Sequence, residues 1–488
     1  MYEMMFGLQN RFHKIDEQIY YENLSQAVCK NGFSDYSAYG ITSFFSFRYP
    51  VLHWTMFDDF RRKSHLDSFN SLRFDTRKDI SISQSATIAE YLLIESIKKK
   101  VQNARRIGIL LSGGLDSSLL VAICKRLYPE REIYTYSMGF YGDDEFEYSR
   151  EVANRFFTIH YEKVLDYTDF FDKDSLMKAL IKHKAAPLHP NELPLAYAET
   201  QARKDCCDIV LCGEGADDLF GGYSHNLLMY VSFQGDKKDF YRYILSNYRY
   251  ISSQKLKSII HDQYIVDDME LIAPLSLVNM PDDIRNIMLH FIQSLHTRGL
   301  VDRGANALSF CGFENGFVFL DSALIDFVNS LPFDYKVCAN IPVPQYIKDY
   351  KYFSDKYCIA KFLLKYIAKS YLPESIINRV KKGFPVPFAL WDKKKPFTMD
   401  LHTQIFKSND LSCFTAWEKF MIYNLNTFVE VFDKYRGGGG GGVALNCATY
   451  YKSLLVLTFY SFTFFRLLIL FALFVSYVAC LYLRAYLL

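Results

Sequence analysis

The stretch Arg106–Cys124, which reads RIGILLSGGLDSSLLVAIC, decides the fold. Within it, Ile107–Leu111 is a short apolar run, typical of a strand buried on both faces of a parallel sheet. Ser112–Gly114 interrupts this run, and helical apolar spacing then begins at Leu119 and ends near Pro129. The sequence therefore predicts a strand, a glycine turn and a helix start in direct succession.

A strand, a glycine turn and a helix N-terminus together form an anion site. The glycines let backbone N–H groups approach the anion, serine hydroxyls donate hydrogen bonds, and the helix dipole favours negative charge. The Lys-Ser/Thr ending of a Walker loop is absent. Since Asp116 would repel a phosphate, its carboxylate fits this loop if it holds Mg2+. The alternative is an ordinary strand–helix turn in which Ser117 and Ser118 cap the helix.

A second motif, CGEGADDLFGGY, covers Cys212–Tyr223 and follows the apolar stretch Asp208–Leu211, another expected central strand. Ligands of open α/β sheets bind outside the carboxyl ends of the strands, so both motifs should lie at one edge of the sheet. The motif carries three acids among glycines, Glu214, Asp217 and Asp218. Because like charges repel, this cluster favours a cation or a substrate amine nearby.

The two motifs together carry a family resemblance. SGGxDS is similar to the loop that holds pyrophosphate in enzymes that cleave ATP between its α and β phosphates. SGGLDSS followed by GEGADDLFGGY resembles the synthetase domain of glutamine-dependent asparagine synthetases. A third segment, RVKKGFPVPFALW at Arg379–Trp391, resembles the basic loop near the end of that domain. Since β-lactam-forming and lasso-peptide-cyclising enzymes resemble the same domain, the motifs specify the superfamily better than the substrate.

Strands that alternate with helices predict a doubly wound parallel α/β sheet. The resemblance further implies an ATP-pyrophosphatase fold of the adenine-nucleotide α-hydrolase type, with a helical C-terminal part. We expect three regions along the chain. Residues 1–81 resemble the end of a glutaminase domain, residues 82–432 form the synthetase-like domain, and residues 433–488 are a glycine run and a hydrophobic tail.

The resemblance implies ATP-dependent amidation of a carboxylate, by default aspartate to asparagine, through an acyl-adenylate with release of AMP and pyrophosphate. The implied nucleotide contacts are Leu111, Ser112, Gly113, Gly114, Asp116, Ser117, Ser118, Met138, Cys212 and Gly213. Asp116 and Asp217 would hold Mg2+. Glu214 would orient ammonia or take up its proton, and Lys381, with Lys382 as its rival, would neutralise charge at the α-phosphate. The alternatives are a core methionine at position 138 and an ordinary surface lysine at position 381.

The N-terminal segment departs from a complete glutaminase domain. Ile41–Arg62 is rich in aromatics and Thr/Ser and resembles the closing strands of that domain. The family's nucleophilic cysteine follows Met1, whereas Tyr2 stands here and the first cysteine is Cys29. We therefore expect free ammonia as the nitrogen donor, with a separate glutaminase subunit as a possible partner. Phe44–Trp54 is either the docking surface for that subunit or part of the core.

One segment departs from the family pattern E-A-R-x-P-F-L-D. Glu314–Asp321 reads ENGFVFLD, so Gly316 replaces the arginine and Val318 replaces the proline. Loss of the arginine would remove an internal ion pair or a substrate contact. It therefore leaves open another acceptor, such as a sugar acid of a surface polysaccharide, or a non-catalytic membrane-tethered relative. His189, before the second motif, either faces the site or is a turn residue.

Composition predicts a soluble cytoplasmic protein that does not bind nucleic acid. The formal net charge is +2, 50% of the residues are hydrophobic and 23% are charged. The eleven cysteines form no CxxC pair, which is typical of reduced thiols in the cytosol. The N-terminus has neither a basic region nor a long apolar region, so we expect no signal peptide.

The tail differs in composition from the rest of the chain. Six glycines, Gly437–Gly442, precede a segment rich in Leu, Phe, Tyr, Val and Ala without a single acidic residue. Leu467–Leu483 gives 17 uncharged residues, the lower limit for a membrane-spanning helix. One hypothesis is a membrane anchor over residues 454–488 behind a flexible linker. The other is a tail read in a shifted frame after a repetitive DNA tract.

Overall fold

The computed structural model of the chain describes residues 11–15, 19–63, 72–74, 76–142, 145–172, 175–274, 281–379, 383–384, 386–397 and 399–437. The predictions for Lys381, for Lys382 and for the tail from residue 438 onward lie outside these residues.

The strands form one parallel sheet and two small antiparallel ones. They are β1 (Phe12–Lys14), β2 (Tyr20–Tyr21), β3 (Phe60–Arg62), β4 (Arg106–Leu110), β5 (Glu132–Phe140), β6 (Ile159–Leu165), β7 (Ile209–Leu211), β8 (Val337–Ala339) and β9 (Cys358–Ala360). The parallel sheet has the order β6-β5-β4-β7, and the antiparallel sheets are β2-β1-β3 and β8-β9.

The α-helices before the second motif are α1 (Leu24–Asn31), α2 (Ala38–Phe47), α3 (Ile82–Val101), α4 (Leu115–Leu127), α5 (Phe146–Phe156), α6 (Tyr167–Phe171), α7 (Met177–Lys184) and α8 (Glu192–Lys204). Those from the second motif onward are α9 (Ala216–Phe220), α10 (Ser224–Leu227), α11 (Lys237–Tyr248), α12 (Ser253–Ile259), α13 (Asp268–Ile272), α14 (Ile284–Phe291), α15 (Thr297–Phe310), α16 (Ser322–Ser330), α17 (Tyr350–Tyr357), α18 (Phe362–Ala368), α19 (Glu374–Ile377), α20 (Phe388–Lys394) and α21 (Ala416–Phe432). A π-helical stretch, Ile292–His296, joins α14 to α15. The helical C-terminal part expected from the sequence is confirmed.

The order of the parallel strands places both sequence motifs at one edge. The chain runs from β4 through β5 to β6, then returns to the other side of β4 to form β7. In the register, Ile107 pairs with Ile209 and Ile109 with Leu211, so β4 and β7 end side by side. Ligands bind outside the carboxyl ends of strands where the strand order reverses in this way. The predicted doubly wound α/β fold is confirmed.

The centre of the sheet is apolar on both faces. Ile107 and Ile109 on β4, and Val210 on β7, are fully buried. Between the strands, a Cβ added to Gly108 would lie 3.2 Å from a Val210 side-chain carbon, so a larger residue would crowd the strands. Helix α3 begins at a capping box of Ser81 with Gln84 and packs against α16 and α18. Buried residues of α3 also belong to the same core as the strands whose ends carry the site.

The N-terminal segment has helices where its resemblance to closing strands predicts strands. In Ile41–Arg62 only β3 is a strand, whereas α2 runs over Ala38–Phe47. The Ser37 hydroxyl accepts from the Gly40 N–H and caps this helix, and a Cβ at Gly40 would lie 2.2 Å from the Thr55 carbonyl oxygen. The helix cap and the close packing at Gly40 therefore decide the local structure, although the aromatic composition favours a strand. The domain boundary and the kinship to a glutaminase domain stay predictions.

The aromatic side chains of this segment are core residues. Phe44, Phe45 and Val51 are fully buried, so the prediction of a docking surface over Phe44–Trp54 is wrong and its alternative, a core segment, holds. Phe57, also fully buried, packs on two phenylalanines of α21. No helix of the described part of the chain is long and apolar enough to cross a membrane.

Phe57→Ala should destabilise the region around α21, because Phe57 shares a core with that helix. The Phe57 ring centroid lies 5.5 Å from that of Phe428 and 5.2 Å from that of Phe432. The expected loss in free energy of unfolding is about 3–5 kcal/mol, measured by urea denaturation. Tyr91→Ala, at a largely exposed position, is the control. A separate, unaffected transition for the rest of the chain would show that the N-terminal segment folds on its own.

Candidate active site

The glycine loop after β4 leaves the start of helix α4 open to a ligand. Gly114 is the N-cap of α4, and no side chain caps the helix there. Gly113 has a φ of +70°, and a Cβ at this position would lie 2.6 Å from the Tyr148 and Ser149 backbone, so only glycine fits. The Ser117 hydroxyl accepts from the Ser112 N–H at 3.2 Å. The loop therefore presents the uncapped, positive end of a 13-residue helix to an anion.

The loop after β7 lies directly against the glycine loop. A Cβ placed on Gly213 would be 3.2 Å from the Cβ of Asp116 and 3.5 Å from the backbone nitrogen of Ser117. Gly215, with a φ of +90°, then turns the chain into the short helix α9, which carries Asp217. The two motifs form one site, as the strand order predicts.

One ammonium joins the two loops. Nζ of Lys361 lies 2.5 and 2.7 Å from the two Asp116 carboxylate oxygens and 2.7 Å from Oδ1 of Asp217. The side chains of the three residues are 8–20% exposed. Burial by itself lowers the pKa of Lys361, but the two carboxylates outweigh it and raise that pKa above its ordinary value. Asp116 and Asp217 thus point at one cation position.

The chemistry of this pair fits a magnesium ion that is completed by other oxygens. Mg2+ prefers carboxylate oxygens, and one or two carboxylates usually hold it together with substrate phosphates. Within the described ranges, no three His, Cys, Asp or Glu side chains gather into a ready-made metal site. The neighbouring Asp218 does not join the pair, since its buried Oδ1 accepts from the Thr297 hydroxyl at 2.8 Å.

Glu214 forms an ion pair with Arg303 and not with Lys361. An Nη atom of Arg303, on α15, lies 2.8 Å from Oε1 of Glu214, and both side chains are largely buried. Burial lowers the pKa of Arg303, but the charge of Glu214 outweighs this and raises it. The guanidinium also lies 3.3 Å from Nδ1 of His189. Since that nitrogen accepts from the Asn191 N–H and the His189 carbonyl oxygen accepts from the Glu192 N–H, His189 is a buried, neutral turn residue beside Arg303.

The comparisons with known proteins agree with this geometry. The family model described as asparagine synthase matches residues 89–435. This chain belongs to the asparagine synthase family. It is 24% identical over 334 residues to asparagine synthetase [glutamine-hydrolyzing] 1 of Bacillus subtilis, covering 62% of this chain and 50% of that protein. It is 30% identical over 148 residues to a probable asparagine synthetase [glutamine-hydrolyzing] of Acanthamoeba polyphaga mimivirus. This match covers 30% of this chain and 27% of that protein. The chain thus spans half or less of the length of these two relatives.

The predicted basic loop is attached to the glycine loop through its first residue, Arg379. Arg379 donates to the Ser112 carbonyl oxygen at 3.3 Å and forms an ion pair with Glu145. Its guanidinium lies 3.9 Å from the centroid of the Tyr148 ring. The candidate lysine, Lys381, is two residues further along the chain. Its assignment stays a prediction.

The departure from the family pattern at position 316 has a local cause. A Cβ on Gly316 would lie 1.8 Å from the Val210 carbonyl oxygen, so this backbone leaves no room for an arginine. The Gly316 carbonyl oxygen instead accepts from the Cys212 N–H at 3.2 Å, which extends the pairing beyond β7. Val318 is fully buried, and its carbonyl oxygen accepts from the Ser96 hydroxyl. Both replacements are therefore consistent with the local backbone pairing and burial.

The remaining nucleotide-binding candidates differ in how the structure presents them. The Leu111 N–H donates a hydrogen bond to the Tyr136 carbonyl oxygen of β5. Met138 lies on β5 as well, two residues beyond the last pair with β4, at the carboxyl edge of the sheet. Cys212 is buried, and burial raises its pKa well above the ordinary value. Ser118 is not brought to the loop surface, since its side chain is fully buried and its N–H donates to Gly114.

Sequence reasoning missed three ionisable residues of the site, Lys361, Arg303 and Glu199. Lys361 lies 245 residues after Asp116, and no motif marks it. Arg303 sits in a helix of mixed composition. Glu199, on α8, is fully buried and neither carboxylate oxygen has a hydrogen-bond partner among the described residues. Burial, followed by the charge of Glu214, raises the pKa of Glu199 well above its ordinary value.

His189→Gln should make the fold less sensitive to acid. Burial, followed by the charges of Arg48 and Arg303, holds the pKa of His189 well below 6.5, so the unfolded chain binds this proton first. As the pH falls below about 6.5, the His189 ring therefore lowers the free energy of unfolding, by up to about 1.4 kcal/mol per pH unit. Glutamine keeps an acceptor for the Asn191 N–H but cannot titrate.

Urea denaturation at pH 7.5 and pH 5.5 measures this effect. The variant should lose about 1 kcal/mol less than the wild type between the two pH values. His225→Gln, at an exposed position, should follow the wild type. Equal losses for the wild type and for His189→Gln would contradict a neutral, buried His189.

Proposed function

We propose that this chain is an ATP-dependent ligase that converts a carboxylate to an amide, with aspartate to asparagine as the default reaction. The observation that carries the proposal is the convergence of Asp116 and Asp217 on one cation position, next to the uncapped start of α4. Membership of the asparagine synthase family supports the same activity.

The glycine loop is the proposed site of the ATP phosphates. Backbone N–H groups of Gly113 and Gly114, with the Ser112 and Ser117 hydroxyls, would bind their oxygens at the positive end of α4. Met138, at the neighbouring strand end, would contact the base. Asp116 and Asp217 would hold Mg2+ together with phosphate oxygens. When bound, the ion would offset negative charge on the pyrophosphate as it leaves.

The reaction has two steps. An oxygen of the acceptor carboxylate attacks the α-phosphorus, the bond to the β-phosphate breaks, and an acyl-adenylate and pyrophosphate form. Ammonia then attacks the acyl carbon, AMP leaves, and one proton passes to the Glu214 carboxylate, which Arg303 holds in place. Lys381 would neutralise charge that develops at the α-phosphate, from a loop whose first residue, Arg379, is fixed to the glycine loop.

A carboxylate other than aspartate is the second candidate acceptor. Because Gly316 leaves no room for a side chain, the family's arginine contact is replaced by backbone pairing. His189 lies beside Arg303, within the same group of buried charges as Glu214. The replacement at Gly316 favours testing other carboxylates, such as sugar acids, beside aspartate.

Asp116→Asn and Asp217→Asn should each lower pyrophosphate release by at least about 100-fold, because each change removes a hard anionic oxygen from the proposed ion. The assay measures pyrophosphate from ATP with Mg2+, ammonium and a panel of carboxylic acids. Asp218→Asn is the matched control, because Asp218 belongs to the same motif but bonds to Thr297. It should retain at least about a tenth of the activity. Full activity in both test variants would remove these residues from the site.

We also propose free ammonia as the nitrogen donor of this chain. Residues 1–81 contain one cysteine, Cys29, and the described part of this segment packs as core of the synthetase fold. A separate glutaminase subunit would supply ammonia in the cell. Because only NH3 is nucleophilic, the rate at fixed total ammonium should rise about tenfold per pH unit until another group titrates. Product formed from glutamine, with matching glutamate and no contaminating glutaminase, would contradict this proposal.

A further inference from the structure

The cation position of the site is already filled by a side chain of the protein. Nζ of Lys361 is within 2.7 Å of three carboxylate oxygens, two on Asp116 and one on Asp217. Lys361 as a residue is only 6% exposed. Its ammonium therefore has little access to water and depends on these carboxylates for its hydrogen bonds.

The backbone holds the lysine firmly at this point. Lys361 is the N-cap of α18 and has a φ of +54°, a left-handed conformation that is unusual for a residue other than glycine. On the other side, a Cβ on Gly222 would lie 1.8 Å from Oδ1 of Asp217 and 2.6 Å from Cε of Lys361. The glycine thus makes room for the lysine and the carboxylate together. The left-handed backbone of Lys361 and the absence of a side chain at Gly222 together place the ammonium between the two aspartates.

A divalent cation needs the same oxygens. Mg2+ binds oxygen at about 2.0–2.1 Å in near-octahedral geometry, so it competes with the ammonium for the carboxylate oxygens that Lys361 already occupies. Two positive charges a few ångströms apart in a mostly buried site also repel each other strongly. A free ion would have to displace Lys361 from its ion pairs with both aspartates.

We propose that Lys361 competes with the divalent cation for Asp116 and Asp217, so that the metal enters only together with a polyphosphate. The inference rests on the proposed function, because it takes these two aspartates as the metal ligands. A polyphosphate brings oxygen ligands for the metal and negative charge for the displaced ammonium. The lysine thereby prevents the site from taking up a metal ion that arrives without nucleotide.

The test measures Mn2+ binding to the full chain by the electron paramagnetic resonance signal of free Mn2+, without nucleotide. Lys361→Met should bind Mn2+ at least about tenfold more tightly than the wild type, since the competing charge is gone. Lys365→Met is the matched control, because Lys365 lies one turn further along α18 and is half-buried. It should stay within about threefold of the wild type, because its charge acts from a greater distance. Equal affinity in Lys361→Met and the wild type would overturn the proposal.

A second measurement uses only the wild-type chain, in case Lys361→Met fails to fold. Its Mn2+ affinity is compared without and with saturating pyrophosphate, after correction for Mn2+ complexed by free pyrophosphate. The proposal expects binding to strengthen at least about tenfold with pyrophosphate. Equally tight binding without pyrophosphate would overturn it. Absence of protein-bound Mn2+ in every variant, with and without pyrophosphate, would instead refute the metal site of the proposed function.

Discussion

Two carboxylates that face one point repel each other, and the rest of the site depends on how this repulsion is offset. Asp116 follows β4 and Asp217 follows β7, and the parallel pairing of these strands brings the two residues together. Nζ of Lys361 binds both. Since removal of one partner from a buried ion pair is strongly destabilising, these three residues fix the two loops relative to each other.

A second group of buried charges fixes the other half of the site through helix α15. Asp302 lies 3.5 Å from Arg62 of β3 and 3.3 Å from Lys184 of α7. The next residue, Arg303, reaches Glu214. Strand β3 and the Glu214 carboxylate are therefore linked by adjacent residues of one helix. This arrangement explains why the N-terminal segment shares a core with the synthetase fold instead of lying apart from it.

The sequence predicts those parts of the structure that are encoded locally. Ser112–Gly114 lies between an apolar run and a helical pattern, so the strand, the turn and the helix start follow from a few neighbouring residues. Lys361 and Arg303 could not be found in this way, because their partners lie 245 and 89 residues away. Helix Ala38–Phe47 was missed because its aromatic residues also suit a strand, and only its cap and tertiary contacts decide.

The most direct test of a single site shared by both loops is a crystal structure with Mn2+ and the non-hydrolysable analogue α,β-methylene-ATP, using anomalous diffraction from manganese. The account predicts a manganese peak within about 2.5 Å of oxygens from both Asp116 and Asp217, with the phosphates on Ser112–Ser117. It would be contradicted by a nucleotide bound away from the glycine loop, or by manganese that contacts neither aspartate.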